Sequence, residues 1–308
     1  MELNERIVNE LFKECTEFVD KKLSIYNYSS DIKHLLYIII PAFIVRYDYK
    51  NKNKIYNVFR DVPLIETTEE DKRVQAFYTS IPKYINKEIK TNKFVLIKHY
   101  LNKDLMELID NIIHEYNHAI NSYENELKIG KTKIYIRTGL SYARYDKYSL
   151  KPMGIDNKEI LEEILNTKQT EDIVNIIKEF TKYKFSDITI SNSLYSINNY
   201  IDKSYKSKAY SLQTLFTNNL TNNKTLFNVL SNMRFNGNVD NIGDFFDNVV
   251  GKSGSFSRFI EILNTTKKLE QEYINTKLFK KIKVIEIKSY YNEAKVIIDK
   301  FNNNYHFK

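Results

Sequence analysis

The chain has one cysteine, no tryptophan, seven glycines, four prolines and five histidines in 308 residues. A lone Cys15 excludes an internal disulfide and any cysteine-based zinc cluster. It falls within an amphipathic pattern, where a single cysteine serves as a small buried hydrophobe. Few glycines and prolines argue against a turn-rich all-β fold and for helices. No run of about 18 apolar residues occurs, so no membrane span is expected. The longest run, Leu35–Val45, is interrupted by Pro41 and reads as a buried helix or strand. The N-terminal stretch is acidic and amphipathic without an apolar leader core, which points to the cytoplasm.

What the chain does have is ample apolar material, 42%, and a net charge of +8 that is unevenly placed. Residues 1–180 balance 28 basic against 28 acidic side chains, whereas 181–308 carry 19 and 11. Heavy use of Lys, Asn, Ile and Tyr has the look of a coding bias and carries no functional reading.

The informative stretch is DLMELIDNIIHEYNHAINSYENEL, residues 104–127. Leu105, Leu108, Ile109, Ile112, Ile113, Tyr116, Ala119 and Ile120 recur at the spacing of one helical face. His114-Glu115-Tyr116-Asn117-His118 lies inside it, an HExxH expected by chance in about one chain of this length in 200. On a helix, His114 and His118 sit one above the other and can fill two corners of a tetrahedral zinc site. Glu115 lies about 100° round and can reach a metal-bound water without being a ligand.

Along the chain, residues 4–26 read as a helix and 54–82 as short strands near Tyr56–Arg60 and Val74–Thr79. A strand-like run, 92–101, feeds the HExxH helix, with Asn102 as N-cap. Residues 132–150 read as a β-hairpin or two short strands, with Gly139 as a turn residue, and 151–158 as a loop. A second helical stretch covers 158–183 with a break near Lys168–Thr170. Helical segments then follow at 191–217, 222–234, 241–250, 255–276 and 282–303. The organisation expected is α+β and mostly helical, with residues 1–183 as the domain bearing HExxH and 184–308 as a basic, all-helical C-terminal lobe.

A catalytic zinc needs a third protein ligand, and Glu159, Glu162, Glu163 and Glu171 lie on the following helix. Here the sequence resembles the zincin metallopeptidases, in the gluzincin, thermolysin-like branch. There the third ligand is a Glu on a later helix within a pattern resembling NExxSD. Laid on LEEILNT, that pattern places Glu163 at the ligand, 45 residues beyond His118. Asn166 then stands at the Ser and Thr167 at an acid that, in the family, holds a ligand histidine. Glu162, Glu159 and Glu124 stay open as alternatives. Glu124 stands where the related HExxHxxGxxH pattern has its third histidine.

The resemblance implies a zincin-like core of small sheet and two metal helices, one Zn2+, and hydrolysis of peptide bonds in a protein or peptide substrate. It also implies that Glu115 is the general base, with an oxyanion donor still to be supplied. Tyr142 and Tyr145 are the leading candidates for that donor, followed by Tyr148, Arg137 and Arg144. Two other readings compete. One is an inactive zinc-holding scaffold. The other is a nucleic-acid or partner-binding role for the basic C-terminal part, where Lys and aromatics interleave over 277–291. Oligomeric state is not legible.

Overall fold

Asn4 opens helix α1 (Glu5–Lys22) by accepting the Ile7 N–H at 3.0 Å. Val8, Leu11, Phe12, Cys15 and Val19 then recur on its buried face. The structure is a computed structural model that describes residues 3–67, 76–98, 105–183, 201–202, 204, 224–275 and 280–305. The apolar run forms α2 (Ser30–Tyr47), capped by Ser29, and every residue from Leu35 to Ile44 is buried. Pro41 lies inside it. Burial on all sides explains why the run has no helical polar face to read in sequence.

Residues 56–60 are not the expected strand. They lie in α3 (Lys52–Asp61), because Ile55, Val58 and Phe59 bury together at helical spacing. A three-stranded sheet follows, in the order β1 (Leu64–Glu66), β3 (Glu88–Ile97), β2 (Ala76–Ile85). β1 runs parallel to β3 and β2 antiparallel. The β2–β3 connection is Asn86-Lys87, both at positive φ, the two-residue turn whose twist suits a hairpin.

The HExxH segment is helix α4 (Leu105–Ser122). After it come β4 (Leu127–Ile129), β5 (Lys133–Thr138), β6 (Ser141–Asp146) and β7 (Pro152–Ile155), an antiparallel meander in chain order. β7 corrects the expected loop at 151–158. Pro152 opens an edge strand, where a missing N–H costs no ladder bond. Helix α5 (Glu159–Phe180) runs unbroken through Lys168–Thr170, where a break was expected, because Gln169 and Thr170 are buried polar residues of the helix. Helices α6 (Lys224–Phe235), α7 (Ile242–Val250), α8 (Ser255–Asn275) and α9 (Lys280–Tyr305) fall close to their expected positions. Most of the segment 191–217, Asn102, Val74-Gln75 and part of 277–291 lie outside the described residues.

The chain divides into two compact units, but not at residue 183. One unit holds Met1–Ile120 and Gln169–Ala209, the other Asn121–Lys168 and Tyr210–Lys308. The division passes through α4 and α5, so each of these helices has residues in both. In the first unit, Phe59 stacks on Tyr116 at 4.1 Å and Arg46 of α2 pairs with Asp172 of α5 at 3.2 Å. In the second, Leu161, Ile164 and Leu165 of α5 share one apolar cluster with Leu226, Leu230, Phe246, Phe259 and Phe301. Phe246 stacks on Phe301 at 5.0 Å and on Phe259 at 5.8 Å. Because this cluster claims the first half of α5, α6–α9 are not a separate lobe. Among the described residues no helix is long and apolar enough to cross a membrane.

Candidate metal centre

The two middle residues of His-Glu-Tyr-Asn-His set the roll of α4. Tyr116 is fully buried, stacked on Phe59, and its hydroxyl donates to the Val62 carbonyl at 3.0 Å. Asn117 is equally buried: its Oδ1 accepts from the Tyr47 hydroxyl and its Nδ2 donates to Gln169 Oε1 at 3.2 Å. An aromatic and an amide so anchored leave one orientation for the residues on either side. His114 and His118 then lie on the same side of the helix, both buried, with ring centroids 4.9 Å apart and planes crossed at 81°.

Glu163 of α5 comes to the same place. One ligand atom from each of His114, His118 and Glu163 lies within 4.8 Å of the other two. Two imidazoles and one carboxylate are the donor set of a catalytic zinc site of the His2Glu type, whose ligands stand about 2.1 Å from the ion. Donors at this separation reach one such ion after side-chain movements of about an ångström. The residues present therefore fit the metal.

The other candidate ligands are placed elsewhere. Glu162 is buried and engaged elsewhere, its Oε2 accepting the Leu140 N–H at 2.7 Å and its Oε1 the Arg234 guanidinium. Glu159 is exposed in the first turn of α5, and Glu124 is exposed in the turn after α4. Neither joins the triad among the described residues. Asn166 Oδ1 accepts from Arg234 Nη2 at 3.2 Å, and the Thr167 hydroxyl makes no hydrogen bond among the described residues.

Glu115 is half-buried beside the histidines, and its Oε2 accepts the Tyr78 N–H at 2.5 Å. Tyr78 belongs to β2, an outer strand of the three-stranded sheet among the described residues, so the strand bordering Glu115 is β2 rather than the β3 that leads into α4.

The candidate oxyanion donors separate by environment. The Tyr142 hydroxyl donates to Asp240 Oδ1 at 2.9 Å, and its ring lies 5.4 Å from the ammonium groups of both Lys128 and Lys158. Tyr145, on β6, is half-buried, and burial raises its phenol above the usual value. Tyr148 is 73% exposed. Arg137 is fully buried and spent on carbonyls: Nη1 donates to Asn121 O at 2.6 Å, Gly139 O at 2.6 Å and Arg234 O at 3.1 Å, and Nε to Glu124 O at 3.0 Å. It closes the C-terminal carbonyls of α4 and α6, and its donors are engaged there. Arg144 lies opposite Gly154 in the β6–β7 pairing.

Sequence reading missed Arg234, and nothing in its surroundings, NMRFNG, marks it. It also missed that Gly139 is required by Glu162. Gly139 has φ +57°, and a Cβ there would lie about 2 Å from the Glu162 carboxylate. A glycine between two strands signals a turn but not what the turn encloses. No family model, no curated protein and no solved structure matches the chain.

Proposed function

We propose that the protein is a zinc-dependent metallopeptidase that takes one Zn2+ at His114, His118 and Glu163. The observation that carries the reading is the convergence of these three side chains from α4 and α5, with Glu115 beside them. The chemistry zinc supplies in such sites is Lewis acidity, which brings the pKa of water toward about 7 and polarises a carbonyl.

The chain's own residues do the rest. The Glu115 carboxylate takes the proton of the attacking water and passes it to the departing amine. The Tyr78 N–H holds Oε2 in place. With Tyr142 held by Asp240 and Arg137 by carbonyls, Tyr145 is the donor proposed for the developing oxyanion. A phenol whose ordinary value is 10, raised further by burial, is protonated at neutral pH and so is a donor.

The test is metal content followed by hydrolysis. Purified wild type should carry or take up one zinc per chain, His118→Ala should lose it, and Glu163→Ala should bind it more weakly. Screened on a peptide library, the loaded wild type should cleave. Glu115→Gln should keep its zinc and cleave 10²- to 10⁴-fold more slowly, the range general-base groups supply. A wild type that takes up no zinc on titration overturns the reading.

A further inference from the structure

Beside Glu163, two formal charges are buried together. Glu162 and Arg234 are 1% and 0% exposed. Such a pair persists only when each partner is also hydrogen-bonded, and both are. Glu162 takes the Leu140 N–H on its second oxygen, and Arg234 Nη2 also reaches Asn166 Oδ1. Glu162 and Asn166 stand four apart on α5, one above the other on the same face. Arg234 therefore grips α5 at two successive turns. Its own carbonyl accepts from Arg137 Nη1, and the same nitrogen donates to Asn121 O at the end of α4 and to Gly139 O. One connected set of hydrogen bonds thus joins the ends of α4 and α6, the β5–β6 turn and the inward face of α5.

We infer that Arg234 is a positioning residue for the metal centre. Through Glu162 and Asn166 it fixes the roll of α5 and so aims the Glu163 carboxylate at His114 and His118. Glu163 is the next residue round the helix from Glu162, about 100° away. A side chain about 6 Å from the helix axis moves about 2 Å when the helix rolls by 20°. That displacement is as long as a zinc–ligand bond. A lost grip at Glu162 thus becomes a lost ligand, although Arg234 touches neither the metal nor the substrate. The inference rests on the metal-centre reading above.

The experiment measures zinc affinity by competition with a chelating dye, and the visible absorption of the Co2+-substituted protein, for wild type, His118→Ala, Arg234→Met and Arg234→Lys. Far-UV circular dichroism of each metal-free protein reports the fold. Wild-type uptake that His118→Ala abolishes establishes the centre independently of Arg234, and no uptake by wild type refutes the centre itself. With the centre established, folded Arg234→Met should bind zinc 10- to 100-fold more weakly, the range for groups that orient metal ligands. Its Co2+ spectrum should also change. Arg234→Lys keeps the charge on a shorter side chain whose ammonium ends short of the Nη2 position that meets both Glu162 and Asn166, so it should fall between wild type and Arg234→Met. A folded Arg234→Met with zinc affinity within twofold of wild type and an unchanged Co2+ spectrum overturns the inference. If Arg234→Met does not fold, Arg234→Lys decides, and wild-type affinity and spectrum in that variant overturn it.

Discussion

Gly139→Ala tests how tightly the β5–β6 turn is built around Glu162. The added Cβ would meet Glu162 Oε2 at 1.9 Å, Cδ at 2.0 Å and Oε1 at 2.1 Å, far inside van der Waals contact. The carboxylate cannot yield cheaply, because the Arg234 guanidinium and the Leu140 N–H hold its two oxygens. Two costs add. Placing alanine at φ +57° costs about 1 kcal/mol. Displacing the carboxylate breaks a charge-assisted hydrogen bond and loosens a buried ion pair, about 3 kcal/mol more. Gly251 supplies the control. It has φ +76° with nothing within 4 Å of its Cβ position, so Gly251→Ala carries the conformational cost alone. At roughly 2–4 °C per kcal/mol, thermal unfolding should show a fall of about 2–4 °C for Gly251→Ala and about 8–16 °C for Gly139→Ala. If the two variants melt together, Glu162 is not enclosed as described, and the grip of Arg234 on α5 loses its support.

Two further outcomes follow from the same geometry. Asn117→Ala removes the buried amide that joins Tyr47 of α2 to Gln169 of α5, and should cost about 2–3 kcal/mol in urea unfolding, since both partners are left in the core; a loss under 0.5 kcal/mol would show that water replaces the amide. Asp240 is held below the usual carboxylate value of 3.8 by its hydrogen bond to Lys128, with that from Tyr142 adding to it. A depressed acid stabilises the fold above its unfolded value and loses that contribution as pH falls through the folded one. Stability measured between pH 5 and pH 2 should therefore decline less steeply in Asp240→Asn than in wild type, and identical slopes would refute the link.

The HExxH helix was legible because two independent periodicities coincide in it. The apolar positions define one face, and the histidines four apart share another. α1 and α6–α9 were legible for the first of these reasons. Tyr56–Arg60 was not: over so few residues an apolar–polar alternation and a helical stripe look alike, and only the joint burial of Ile55, Val58 and Phe59 selects the helix. The continuity of α5 was hidden in the same way. Gln169 and Thr170 read as a polar break, yet Gln169 is buried because Tyr47 and Asn117 bring it hydrogen bonds from far along the chain.

By itself, then, the sequence determined the chemistry on offer: two imidazoles and a carboxylate carried on one helix, with acidic candidates on another. Local spacing suffices there, since residues four apart on a helix are neighbours whatever the rest of the chain does. Which acid would meet the histidines was a tertiary decision. Glu162 and Glu163 are adjacent and chemically identical, and they differ only in direction. Arg234, 72 positions beyond Glu162, draws that side chain inward with the Leu140 N–H, and Glu163 is left to face His114 and His118. A helix can present only one of two neighbouring side chains to a given point, and its roll is set by what the opposite face buries.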